Sequence, residues 1–126
     1  MKKLMIAAAA MFAASLFAEE ATPPANDSME NAEAISGESG SVQGTCEGAT
    51  QDGDDDPVYA EFRMENSVWY KWTAPATGNF KFRTAGVESE ADTVLCVCSA
   101  DGKITLGSND DINDNDYGSK VTVQAK

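Results

Sequence analysis

Short runs with a period of two, each closed by a turn signal, fill the second half of the chain and limit what core it can bury. In SVWYKWT (67–73), Val68, Tyr70 and Trp72 share one face, while Trp69 and Lys71 share the other. TAPATG then reads as a turn. NFKFRT alternates cleanly, with Phe80 and Phe82 pointing inward and Lys81 and Arg83 outward. DTVLCVCS is apolar on both faces, with Thr93, Leu95 and Val97 against Val94, Cys96 and Cys98, as a central strand covered on both sides must be. Asp101-Gly102 is a strong hairpin signal and leads into KITLGS. SKVTVQAK offers a last strand with Val121 and Val123 on one face. No apolar stripe at helical spacing is long enough to organise a core. Several short strands between Gly, Asn, Asp and Pro turns predict an all-β chain folded as an antiparallel β-sandwich.

The first half is organised differently. Lys2 and Lys3 precede an uncharged apolar run from Leu4 to Phe17, small residues follow to Ala18, and Glu19-Glu20 come next. Basic start, apolar centre and small residue at the cut are the layout of a secretory signal peptide over residues 1–18. The run is short for a membrane span, which takes about 20 apolar residues; the alternative is an uncleaved anchor. EEATPPANDS (19–28) is Pro-rich and polar, with residues 19–23 as linker and the domain running from 24 to 126. Asn26-Asp27-Ser28 are candidate caps for a short helical turn through Ile35 carrying Met29, Ala32 and Ala34. Glycine- and serine-rich turns around Val42 and an acidic loop, QDGDDDP (51–57), follow.

Charge and composition then narrow the function. Removing the leader takes Lys2 and Lys3 and leaves 108 residues with seven basic and 21 acidic side chains, a net charge of −14. Such a surface repels phosphate backbones and anionic lipid, which argues against nucleic-acid and membrane partners, and it attracts divalent cations. There is no histidine, so the commonest general base and the commonest zinc ligand are both missing. Cysteines stand at 46, 96 and 98. In an exported chain one disulfide is expected, with one thiol over. Cys96 and Cys98 lie two apart on one strand face, near the upper limit of Cα spacing for a bridge, so Cys46 with either is the better pairing. The alternative is three small buried residues with no bridge.

PPANDSMENAEAISGESGSVQGTCEGAT, SVWYKWTAPATGNFKF, ADTVLCVCSADGKITLGSNDD and SKVTVQA, in that order, resemble the bacterial pre-peptidase C-terminal (PPC-like) domain over about residues 24–126. The SVWYKWTAP block, the DTVL strand and the SNDD one hairpin later are the most specific pieces. The resemblance implies a jelly-roll-like sandwich that is secreted, non-catalytic and usually appended to an enzyme or surface protein. It also implies roles in adhesion, in binding polymers such as collagen or polysaccharide, or in secretion and folding of a linked enzyme, with calcium bound by some relatives. Two departures stand out. Family members continue into a further strand that closes the sheet, whereas this sequence stops at Lys126, and cysteine replaces the usual apolar or aromatic residues at 96 and 98. The first departure suggests a truncated gene, a fragment or a domain completed by another chain, and an unclosed sandwich leaves an unpaired strand edge.

Calcium takes six to eight oxygen ligands, and a single acidic loop supplies them only in a strict pattern. Counting from Asp111, Asn113 and Asn115 fit an EF-hand loop, but Asp116 stands where glycine is needed and Thr122 where glutamate is needed. Counting from Asp52 through Asp54 and Asp56, Pro57 and Arg63 break the same pattern. What survives is a site built across loops from Asp92, Asp110 and Asp111, with a solvated loop as the plainer alternative. Tyr70 and Trp72 share a face with Val68 and read as core, so Trp69 is the candidate for exposure and for stacking on a sugar ring. Catalysis is disfavoured. No histidine is available for a nucleophilic triad, and nothing sets one carboxyl against an apolar wall as a general acid requires. The expectation is a secreted accessory module that binds or adheres to an extracellular polymer. The alternatives are a spacer or stabiliser of a linked enzyme and, further off, a calcium-dependent carbohydrate-binding module.

Overall fold

The computed structural model describes residues 2–10, 21–50, 66–84 and 92–126. The acidic loop 51–57 and the expected cleavage point at Ala18 lie outside these residues. Among the described residues seven strands run in chain order: β1 (Lys3–Ala10), β2 (Glu33–Ile35), β3 (Ser67–Thr73), β4 (Gly78–Arg83), β5 (Thr93–Ser99), β6 (Thr105–Asn109) and β7 (Lys120–Ala125). They form a five-stranded sheet ordered β2-β3-β1-β5-β6 and a two-stranded sheet of β4 and β7. Every pairing is antiparallel except the short parallel contact of β2 with β3. The chain is all-β and two-layered, as its period-two runs predict.

The main core lies between the sheets. Leu4 and Ile6 of β1, Val68, Tyr70 and Trp72 of β3, Leu95 and Val97 of β5, and Val121, Val123 and Ala125 of β7 form one buried cluster. Phe80 and Phe82 reach it from β4, each edge-on to Trp72 with ring centroids 4.8 Å and 5.3 Å away. The Trp72 indole N–H donates to the Gly37 carbonyl at 3.0 Å, so the ring is buried with its polar atom satisfied. Glycine is needed where β6 passes over β7: a Cβ on Gly107 would stand 2.6 Å from Val121 Cγ1. At the β5–β6 hairpin Gly102 has φ +73°, and the Asp101 carboxylate accepts from Ser99 Oγ and the Lys103 N–H, which holds its pKa below the ordinary value.

Two segments differ from expectation. Residues 26–35 form only a three-residue 3-10 turn, Met29–Asn31, followed by strand β2. Asn26 and Asp27 serve the tertiary structure instead of capping a helix. The Asn26 side-chain amide donates to the Trp69 carbonyl at 3.0 Å while the Asn26 main-chain carbonyl accepts the Trp69 N–H at 2.9 Å, and the Asp27 carboxylate takes the Thr50 N–H and hydroxyl. Ser28 makes no side-chain cap bond. A polar side chain that finds a distant backbone partner has none left to stabilise a helix start.

The second difference concerns the leader. Residues 3–10 form β1, the middle strand of the larger sheet, antiparallel to β3 on one side and β5 on the other. Leu4, Met5, Ile6 and Ala7 are all buried. An uncharged apolar run suits the centre of a signal peptide and a strand buried on both faces equally well, because periodicity does not separate the two.

Candidate functional site

The acidic end of the molecule is built where β5 begins, β6 ends and the approach to β7 passes between them. Asp92 precedes β5, and Asp110 and Asp111 follow β6. The register Leu95↔Asn109 carries these loops side by side. A knot of hydroxyls lies beneath. Thr93 and Ser119 are buried, and their hydroxyl oxygens are 3.2 Å apart. Thr84 Oγ1 lies 2.9 Å from Thr93 Oγ1 and accepts the Ser119 N–H at 2.8 Å. The Ser119 hydroxyl is shared between the carbonyl oxygens of Thr93 and Asp110. Asn109 completes the frame, accepting the Lys120 N–H at 2.8 Å and donating to the Asp111 carbonyl at 3.0 Å.

On this frame one carboxylate oxygen each from Asp92, Asp110 and Asp111 falls within 4.8 Å of the others. Asp92 and Asp111 are exposed and Asp110 is half-buried. Partial burial raises the Asp110 pKa, with smaller contributions in the same direction from the charges of Asp111 and Asp92. Like charges held this close oppose one another, and a divalent cation seated among them would relieve that repulsion with hard oxygen ligands. Three carboxylates leave room for carbonyl and water oxygens to complete the shell.

The loop 112–118 folds on itself beside this cluster. The Ile112 N–H donates to the carbonyls of Asp116 and Gly118, Asn113 Oδ1 accepts the Asn115 N–H, and Asp116 Oδ1 accepts the Gly118 N–H. Asp114 and Asp116 are exposed and are not members of the trio, and the Asp116 carboxylate closes the turn. The Tyr117 carbonyl accepts the Thr93 N–H at 3.0 Å, which fixes the backbone of this exposed tyrosine next to Asp92.

Trp69 is not the exposed ring expected. It is 0% accessible, packed against Met5, Ala7, Ala9, Ala32, Cys96 and Cys98 on the outer face of the larger sheet. Alternation places it opposite Tyr70 correctly, but alternation cannot tell that Met29 of the 3-10 turn and Ala32 just after it cover this face too. The cysteines lie on two levels. Cys46 packs at the edge of the core between the sheets, whereas Cys96 and Cys98 belong to the outer cluster, and no disulfide joins them. Sequence reasoning missed Thr84, Thr93, Ser119, Asn109 and Tyr117. Each makes a contact that exists only once distant segments meet: Thr84 and Thr93 with Ser119, Asn109 with Lys120, and Tyr117 with Thr93.

Fold and site together define a two-sheet, all-β protein with a carboxylate cluster at one loop end. Comparison with known families, curated proteins and solved structures finds no match.

Proposed function

We propose that this chain is an exported, non-catalytic accessory module of the PPC-like, jelly-roll type that attaches to an extracellular polymer at its acidic loop end, with a calcium ion held by Asp92, Asp110 and Asp111. The observation that carries the reading is the convergence of those three carboxylates, from two loops, within 4.8 Å of one another. Tyr117, 48% exposed on the neighbouring loop, is the ring that can stack on a sugar face now that Trp69 is buried. Export is supported by the leader-like residues 1–18, and the non-catalytic role by the absence of histidine. The test is retention of the full chain, with β1 in place, on insoluble polysaccharide and on collagen, in calcium and in chelator. Retention that requires calcium and falls on Tyr117→Ala supports the proposal; passage through every matrix under both conditions contradicts it.

One observation favours a second reading, a spacer or stabilising domain of a linked enzyme. Trp69, the aromatic residue first suited to ligand contact, is spent on the interior. A linked enzyme that keeps its activity but loses thermal stability when this domain is deleted would support that role.

A further inference from the structure

Cleavage after Ala18 would remove β1, which is not an edge strand but the middle of the five-stranded sheet. Its seven residue pairings to β3 and seven to β5 would go with it. Leu4 and Ile6 would leave the core between the sheets, and Met5, Ala7 and Ala9 would leave the outer cluster around Trp69. What would be left is a slot one strand wide, walled by Val68, Tyr70 and Trp72 on one side and Leu95 and Val97 on the other. Its two rims would carry unpaired backbone N–H and C=O groups. Such an edge is a template for another strand. Among the described residues each of the other six strands already has its own place in a sheet.

We infer that the slot between β3 and β5 is a strand-acceptor site, filled after export by an extended apolar segment of a second exported polypeptide that runs antiparallel to both walls. This rests on the leader being removed and is independent of any polymer contact at the acidic end. The seated β1 shows what the occupant must look like. Positions equivalent to Leu4 and Ile6 face the core between the sheets and take large aliphatic side chains. Positions equivalent to Ala7 and Ala9 stand opposite Trp69 and Ser67 and take small ones. There the structure holds a second clue. Ser67 Oγ and Trp69 Nε1 are buried and find no hydrogen-bond partner among the described residues. Buried polar atoms are nearly always satisfied, and these two belong to the residues that pair with the small positions Ala7 and Ala9 of β1, where an occupant can bring a polar group. An occupant with serine or threonine at the small positions supplies it. Main-chain pairing gives such a strand its affinity, and the alternate side chains give it specificity.

The experiment expresses the precursor with its leader in an exporting bacterial host and recovers the exported chain, whose mass reports whether the leader is gone. The probe is the sequence of residues 3–10 fused to the terminus of a soluble exported carrier. Three other carriers are compared with it: one bearing the same residues with leucine and isoleucine moved to the outward positions 5 and 7, one bearing the sequence with Ala9→Ser, and one bearing no strand. The inference expects a processed chain that gives a cooperative thermal transition, or is recovered intact at all, only with the strand-bearing carrier. The face-swapped strand should bind weaker by about tenfold or more, since large aliphatic groups then miss the core, and the serine-bearing strand should bind tighter than the parent. A processed chain that unfolds cooperatively alone would show the slot filled from within the chain and overturn the inference. So would an exported chain that retains residues 3–10, or equal binding of the face-swapped strand. Equal binding of the serine-bearing strand would remove the hydroxyl requirement. Loss of polymer retention, by contrast, would leave all of these outcomes unchanged.

Discussion

Ser119 shows how much one small side chain can hold. It is buried, its hydroxyl serves two carbonyls, and its N–H reaches Thr84. Ser119→Ala leaves the Thr93 and Asp110 carbonyls without that donor, and the expected cost is about 1–3 kcal/mol in urea unfolding. Loss of the hydroxyl should also loosen Asp110 and weaken calcium binding, measurable in the same titrations. Trp69 calls for two substitutions with opposite expectations. Trp69→Ala empties a fully buried site and should cost about 3–5 kcal/mol. Trp69→Phe keeps most of the packing and removes an indole N–H that has no partner among the described residues, so it should be close to neutral. A large loss for the phenylalanine variant would mean that the N–H is in use. Asp110 predicts a pH effect. A carboxyl whose pKa is higher folded than unfolded binds its proton more tightly in the fold, so stability falls as pH rises from its ordinary value of 3.8 through the raised one. The penalty is fully present above that window and absent below it. Without calcium, Asp110→Asn should therefore be more stable than the parent at about pH 7 and little different at about pH 3, read from urea midpoints.

At the scale of elements, the strands were the legible part and their partners were not. β3, β4, β5 and β7 fall where alternation puts them, because side chains on a strand must choose between two faces and the apolar ones choose the core. The apolar-on-both-faces pattern of 93–99 correctly marks a central strand, and β5 lies between β1 and β6. Pattern fails where one signal serves two structures. Leu4 to Ala10 reads as leader and sits as strand; Asn26-Asp27-Ser28 reads as a helix cap and ties loops to Trp69 and Thr50 instead. The trio of Asp92, Asp110 and Asp111 was readable because two strands of known order bring its loops together. The hydroxyl knot beneath it was not, since Thr84, Thr93 and Ser119 resemble any other surface threonine or serine until the sheets close. Gly107 belongs to the same scale. Gly107→Ala drives a methyl group into Val121 and should cost about 1–3 kcal/mol by overpacking, whereas alanine at the open Gly40 should change little.

For the whole molecule, three properties act together: a leader-like apolar segment, two sheets sharing one core, and an acidic composition with three carboxylates clustered where β5 begins and β6 ends. The core holds the loops in register, the loops hold the carboxylates close, and the proposed calcium ion would relieve the mutual repulsion of those carboxylates. Calcium should therefore stabilise the fold. The measurement that tests this most directly is thermal unfolding of the full chain, with β1 in place, in chelator and in increasing calcium. At a concentration 100 times the dissociation constant a single bound ion adds about 2.7 kcal/mol. The account predicts a midpoint that climbs with calcium in the parent chain and stays flat when Asp110→Asn and Asp111→Asn are combined. A parent chain whose midpoint is the same in chelator and in millimolar calcium would contradict it.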